Sequence, residues 1–252
     1  MRKIYLSLCS MSLATLLSTV AFGQQTAVDF FNEGVQKSNA KDFTGALQAF
    51  TTAIIMNPEN APSYYNRALA KSSLNDIQGA IADLDLTIDI NSQDANAYLY
   101  RGVNRLKIED FRGALQDFNR SVELSPNDAF LYYNRGLCRT QMNYPASALN
   151  DFNKAITLAP NDATILTARG NCKNSLTDFK GALADFGLAL EKAPNKTNTL
   201  SGRGYARFKL EDYKGSLADF SRAIELSPKD ADLFYKRGLV KTRMSEFDNA
   251  IA

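Results

Sequence analysis

Ala95–Asp128, ANAYLYRGVNRLKIEDFRGALQDFNRSVELSPND, is the stretch on which the reading of the whole chain turns. Set in rows of 34, everything after residue 26 repeats it without an insertion or deletion. A fixed period of this length marks a stacked array in which each unit buries its apolar face only against its neighbours. Within the row, Tyr98, Gly102 and Leu106, with Ala97, Arg101 and Ile108, mark a first helix. Phe111, Ala114, Leu115, Phe118, Val122 and Leu124 recur at three-to-four spacing and mark a second. The short Glu109-Asp110 turn makes the pair antiparallel, Pro126 ends the second helix, and Asp128 caps the next by accepting a backbone N–H. The same punctuation returns at Pro58, Pro160, Pro194 and Pro228, and at Asn60, Asp94, Asp162 and Asp230. The expected fold class is all-α, a solenoid of antiparallel helix pairs.

A column of small residues runs through the first helices: Gly34, Ala68, Gly102, Gly136, Gly170, Gly204 and Gly238. Glycine inside a helix costs about 1 kcal/mol of propensity, so close packing must compensate. The second helices place Ala46, Ala80, Ala114, Ala148, Ala182, Ser216 and Ala250 opposite it, which predicts close backbone approach within each pair. Phe50, Leu84, Phe118, Phe152, Phe186 and Phe220 then fill the space beside that contact.

These columns resemble the tetratricopeptide repeat. The family pattern stands here as Tyr98-x2-Arg101-Gly102-x2-Arg105, then Ala114-x3-Phe118, then Pro126. The resemblance covers residues 27–252, as repeats 27–60, 61–94, 95–128, 129–162, 163–196 and 197–230 and a partial seventh, 231–252. It implies a right-handed superhelix whose first helices line a concave groove that binds proteins or peptides. The groove would be lined by Phe31, Tyr65, Leu99, Tyr133 and Tyr235, with Leu69, Val103, Leu137 and Tyr205 one turn away. In that column repeats one to four are aromatic or aliphatic, while Thr167 and Ser201 make repeats five and six polar. Aromatic groups at adjacent repeat positions suit the anchoring of a partner segment.

The chain departs from the family pattern in a ladder of paired positive charges. Arg67, Arg101, Arg135, Arg169 and Arg203 are each followed four residues later by Lys71, Arg105, Arg139, Lys173 or Arg207. As a binding surface, such a ladder would serve an acidic polymer or polysaccharide. As structure, it would pair with Asp83, Asp117, Asp151, Asp185 and Asp219 on the second helices. The first row replaces the arginine by Glu33 and the aspartate by Ala49. That joint replacement is what pairing predicts.

Met1–Gly23 reads as an export signal: Arg2 and Lys3, an uncharged apolar run from Ile4 to Val20, and the exit Ala21-Phe22-Gly23. Its removal would leave an exported protein of the bacterial type, periplasmic or secreted, with no stable membrane span. Without Arg2 and Lys3, 27 basic residues balance 27 acidic ones, and there is no histidine. Neutrality gives no support to nucleic-acid binding, and the missing histidine removes the commonest general base and metal ligand. No nucleophile with a base, phosphate loop or metal cluster stands out, so the expectation is a non-enzymatic scaffold without a cofactor.

Cys138 and Cys172 lie one repeat apart in one column. Equivalent residues on neighbouring helices stand about 8–10 Å apart, which predicts buried thiols and no disulfide. Two supports fail together at the fifth junction, where Lys192 replaces an apolar residue and Lys196 the capping aspartate. From Glu246 a second helix of the seventh repeat is expected to begin, with Phe247 and Ala250 in their columns. An array open at this end suggests a piece of a longer protein or end-to-end self-association.

Overall fold

The computed structural model describes residues 25–251, with side chains as far as Ser245. The expected export signal lies outside the described residues. Among them are thirteen α-helices and no strand. In chain order the first six are α1 (Ala27–Asn39), α2 (Phe43–Met56), α3 (Ala61–Ser73), α4 (Ile77–Ile90), α5 (Ala95–Lys107) and α6 (Phe111–Leu124). There follow α7 (Ala129–Gln141), α8 (Pro145–Leu158), α9 (Ala163–Ser175), α10 (Phe179–Lys192), α11 (Thr197–Lys209), α12 (Tyr213–Leu226) and α13 (Ala231–Ile251).

Odd-numbered helices are the first of each pair and pack antiparallel on the even-numbered helix that follows. Each first helix also touches the first helix of the next repeat, whereas no second helix touches another second helix. The stack is therefore an α-solenoid that bends with its first helices on the inside, and these form its inner face.

The turn within each pair is built the same way six times. Lys41, Asn75, Glu109, Asn143, Thr177 and Glu211 adopt left-handed φ values between 61° and 65°. At the end of α1 the Lys41 N–H donates to Ser38 O and the Asp42 N–H to Lys37 O, so the left-handed residue closes the helix by satisfying its last carbonyls. Asp42 then caps α2, accepting from the Gly45 N–H at 2.9 Å. Asp76, Asp110, Asp178 and Asp212 repeat that bond with Gly79, Gly113, Gly181 and Gly215. A Cβ on any of those glycines would collide with the capping carboxylate. The fourth repeat replaces both residues at once, with Tyr144 and Ser147, and starts α8 on Pro145 with no side-chain cap.

The glycine column works differently from the sequence expectation. What lies against Gly102, Gly136 and Gly170 is a phenylalanine ring, not the facing alanine backbone. A Cβ on Gly136 or Gly170 would stand 2.7 Å from Cε1 of Phe152 or Phe186. Glycine makes room for a ring that is fully buried in every repeat that has one: Phe50, Phe118, Phe152, Phe186 and Phe220. The second repeat, with Ala68, carries the smaller Leu84. Each deleted methyl thus makes space for a larger ring in the core between the paired helices.

At the C-terminus the expected break after the first helix of the seventh repeat is absent: α13 runs unbroken for 21 residues. Ser245 occupies the column of the left-handed residues but lies inside this helix, its hydroxyl bonded to Lys241 O at 3.1 Å. A left-handed turn is unfavourable by itself and forms where the returning helix can bury a face.

Candidate functional site

The charge ladder is internal. Arg67 Nη2 lies 2.7 Å from Asp83 and Lys71 Nζ 2.8 Å from the same carboxylate. Asp117 is shared by Arg101 and Arg105 at 2.7 and 2.8 Å, and Asp151 by Arg135 and Arg139 at the same distances. Asp185 receives Arg169 and Lys173 at 2.6 and 2.9 Å, and Asp219 receives Arg203 and Arg207 at 2.7 and 2.8 Å. The aspartates are buried, and each is clamped between two cations of its own repeat. Burial pushes the Asp117 carboxyl above its ordinary pKa against the lowering pull of Arg101 and Arg105. Burial likewise opposes the Arg101 charge, but its hydrogen bonds to Asp117 and Asp85 outweigh it and raise that pKa. Such a cluster fixes helix orientation more than it adds net stability.

Four of the five ladder arginines, Arg67, Arg101, Arg135 and Arg169, also reach back one repeat with Nη1, to Thr51 Oγ1 at 3.3 Å, Asp85 Oδ1 at 2.7 Å, Asn119 Oδ1 at 3.2 Å and Asn153 Oδ1 at 3.2 Å. The sequence reading missed this column. For Arg203 the corresponding position is Gly187, which has no side chain to accept. In the first row Glu33 instead pairs with Lys37 at 2.7 Å.

The predicted groove residues divide into two sets. Leu99 is 2% exposed, inside a cluster with Phe118 and Leu131, so it is core and does not line a groove. From α5 it packs against Ala114, Phe118 and Val122 of α6 and Leu131 and Cys138 of α7, an apolar surround. Phe31 leans on Phe50 and Tyr65 stands edge-on to Tyr100, both at 5.8 Å between ring centroids. Leu69 and Val103 are half-buried. The inner face of repeats one to three is thus filled by its own side chains. Tyr133 and Leu137 are half-buried, Tyr205 is exposed beside Phe179, and Tyr235 is 65% exposed.

From the fourth repeat onward the inner face opens. A cavity of about 570 Å³ lies among α7, α9 and the start of α11, with Tyr133, Leu137, Phe152 and Ala168 on its apolar side and Thr164, Thr167, Asn171 and Asn198 on its polar side. A second, of about 540 Å³, continues it across α11 to α13 past Ser201, Tyr205, Asp232 and Lys236. The two share Asn171, Ser175, Thr197 and Asn198 and so form one trough. Its cause is side-chain size: Thr167-Ala168 and Ser201-Gly202 stand where earlier repeats carry Tyr65-Asn66, Leu99-Tyr100 and Tyr133-Asn134.

The small residues also draw α9 and α11 together. Thr167 Oγ1 and the buried Thr199 Oγ1 are 2.8 Å apart, and Asn174 Nδ2 donates to Gly202 O at 3.0 Å. Asn174 Oδ1 is buried and without a hydrogen-bond partner. At the head of α11 Lys196 provides no side-chain cap, as its sequence predicts. Cys138 and Cys172 are buried free thiols that donate to Phe111 O and Pro145 O at 3.5 and 3.1 Å, and burial pushes Cys138 up to about 11.

Comparison with known proteins follows the same frame. Family models described as "TPR repeat" or "Tetratricopeptide repeat" match residues 37–95, 131–162 and 204–245, together just over half of the chain. The chain is a tetratricopeptide repeat protein. Proteins of this family are in general non-catalytic interaction scaffolds. Among solved structures, the repeat protein is similar to YrrB, described as a TPR protein with an unusual peptide-binding site, at 25% identity and a TM-score of 0.64 over 76% of this chain and 99% of that one. The pilF protein of Pseudomonas aeruginosa shares 15% identity with a TM-score of 0.75, over 86% of this chain and 97% of that one. A tetratricopeptide repeat protein from Parabacteroides merdae shares 17% with a TM-score of 0.63, over 90% and 88%. No curated protein matches the chain. Among the described residues no helix is long and apolar enough to cross a membrane.

Proposed function

We propose that this repeat protein is a non-catalytic, exported scaffold that holds a segment of a protein partner along the inner face of its first helices. The observation that carries the reading is the continuous trough from α7 to α13, lined by first helices and left open by small side chains. Membership of an interaction-repeat family supports it, as does the likeness to YrrB, a protein described by its peptide-binding site. The rival reading, an acidic polymer on the basic ladder, loses its motive because the ladder cations are engaged by five buried aspartates. Export rests on Arg2, Lys3, the apolar run Ile4–Val20 and the Ala21-Phe22-Gly23 exit.

Affinity capture from the envelope fraction tests the binding reading, with the chain from Gln24 as one bait and the same chain carrying Tyr133→Ala and Asn171→Arg as the other. A protein retained by the first and lost by the second, with circular dichroism unchanged, is the expected result. Equal capture by both baits would move the site elsewhere. Export is checked by the mass of the protein recovered from the periplasm or medium, which should begin at Gln24; an intact Met1 would refute it.

A further inference from the structure

Resting on the scaffold reading, we infer that the trough takes an extended, uncharged peptide segment of about eight residues with one bulky apolar side chain seated against Tyr133, Leu137 and Ala168. The length follows from the spacing. Three gaps between neighbouring first helices, α7 to α13, span about 24–30 Å at the usual 8–10 Å each, which an extended chain covers at roughly 3.3 Å per residue.

The chemistry follows from the lining. The first cavity is apolar on one side, where Tyr133, Leu137, Phe152 and Ala168 meet. Its volume, about 570 Å³, lies within the range of pockets that enclose ligands. Beyond it the lining turns to amides and hydroxyls, Asn171, Asn198 and Ser201 among them. A side-chain amide offers one donor group and one acceptor in nearly the spacing of a peptide unit, so such a wall matches a backbone. The uncapped first turn of α11 supplies N–H donors at the same place.

Charge argues against an acidic or basic ligand. Lys196 is the sole charged side chain in the lining of the first cavity, and it is exposed. At the far end Lys236 is paired with Asp232 at 2.6 Å, and Asp230, also in the lining, accepts from the Asp232 N–H at 3.1 Å, so the two cations and two carboxylates along the trough balance. A strongly charged segment would shed its hydration there with nothing to replace it. On the inner face of repeats one to three large side chains take up the corresponding positions, with Leu99 buried and Tyr65 against Tyr100.

The test is to pan a phage library of random 12-residue peptides on the chain from Gln24 and to measure an enriched synthetic peptide by fluorescence anisotropy. Enriched sequences should share an uncharged core with one leucine, methionine or aromatic residue. Asn171→Ala and Tyr133→Ala should each weaken binding about tenfold, and Tyr65→Ala less than twofold. Charged consensus cores, or no enrichment at all, would overturn the inference. If Tyr65→Ala abolishes binding and Asn171→Ala does not, the scaffold reading stands and the trough assignment falls. If the intact chain also captures no protein partner, both fall.

Discussion

Repeats one to three and repeats four to six share one backbone plan and differ in what stands on the inner face. In the first group large side chains close it: Leu99 is in the core and Tyr65 lies edge-on to Tyr100. In the second, Thr167-Ala168 and Ser201-Gly202 leave a trough, and α9 and α11 come close enough to exchange the Thr167–Thr199 and Asn174–Gly202 bonds. Repeats five and six also lose the tyrosines under the ladder: Arg67, Arg101 and Arg135 sit about 5.4–5.5 Å over Tyr64, Tyr98 and Tyr132 in repeats two to four, while Leu166 and Leu200 hold that position in the next two. The frame is therefore kept by buried columns that scarcely vary, and the surface is shaped by two columns that do. In a repeat protein, function is to be sought where the repeat fails to repeat.

The largest effect tests whether the frame is indeed common to both regions. Asp83→Ala strands Arg67 and Lys71, and Asp151→Ala strands Arg135 and Arg139, in each case leaving two partly buried cations without their carboxylate. Each should lower the unfolding free energy by about 3–5 kcal/mol, the usual cost of removing one side of a buried pair. Denaturant unfolding should show both variants within about 1 kcal/mol of each other, since the two clusters have the same geometry. A small effect at either site would break the claim of one shared frame.

The next prediction strikes the difference itself. Asn occupies the Gly202 column in repeats one, two and four, as Asn32, Asn66 and Asn134. At Gly202 a Cβ would stand 2.6 Å from Phe186 Cζ and 2.8 Å from Asn171 Oδ1, because α11 sits closer to α9 than earlier first helices sit to theirs. Gly202→Asn should therefore destabilise by about 1–3 kcal/mol, the range for overpacking, despite restoring the residue found elsewhere in the column. Thermal unfolding checks it, and an unchanged midpoint would mean that the two helices can separate freely.

Much of the frame was legible because burial imposes a fixed period. The helix pairs, the caps at Asp128 and Asp162 and the Arg–Asp register all follow from columns that co-vary within one chain, as Glu33 with Ala49 shows. The structure adds two further couplings of the same kind, Ala68 with Leu84 and Tyr144 with Ser147, which the sequence displays but which need the contact to be understood. The site was less legible. A column assignment says which way a side chain points, not whether its neighbour covers it, and so Leu99 was expected in the groove and lies in the core. The trough is made by what is missing from Ala168, Ser201 and Gly202, and a residue list shows absences poorly. The break expected near Glu246 failed for a related reason: a turn column marks a place to turn, and the turn forms only where packing holds the returning helix.

A smaller change should strengthen the fifth junction at the edge of the trough, where Lys196 stands. Asp94 and Asp162 accept N–H bonds from the first turns of α5 and α9, whereas Lys196 caps nothing. Lys196→Asp should add about 1 kcal/mol and slow hydrogen exchange at Asn198 and Thr199 to the rates seen at Asn96 and Thr164. If exchange at Asn198 is already as slow as at Asn96 in the unaltered chain, the side-chain bonds between α9 and α11 outweigh the missing cap and the junction is not weak.

The smallest expected effect concerns the same junction from its outer side. Arg135 and Arg169 each reach back to an asparagine of the preceding repeat, Asn119 and Asn153, at 3.2 Å. Arg203 meets Gly187 instead, inside α10, and its side chain is 24% exposed against 16% and 17% for the other two. A Cβ at Gly187 would meet nothing within 4 Å, so a side chain fits without strain. Gly187→Asn removes a helix-interior glycine and gives the Arg203 Nη1 an acceptor, two contributions of a few tenths of a kcal/mol to about 1 kcal/mol each. Gly187→Ala removes the glycine alone. If the asparagine variant is more stable than the alanine variant, the backward bond couples repeats; because alanine is the better helix former, the reverse order would show that the bond adds nothing. The first order would explain the polar acceptors in that column of repeats one to four, and would place the loosest joint of the solenoid beside the trough that a partner must enter.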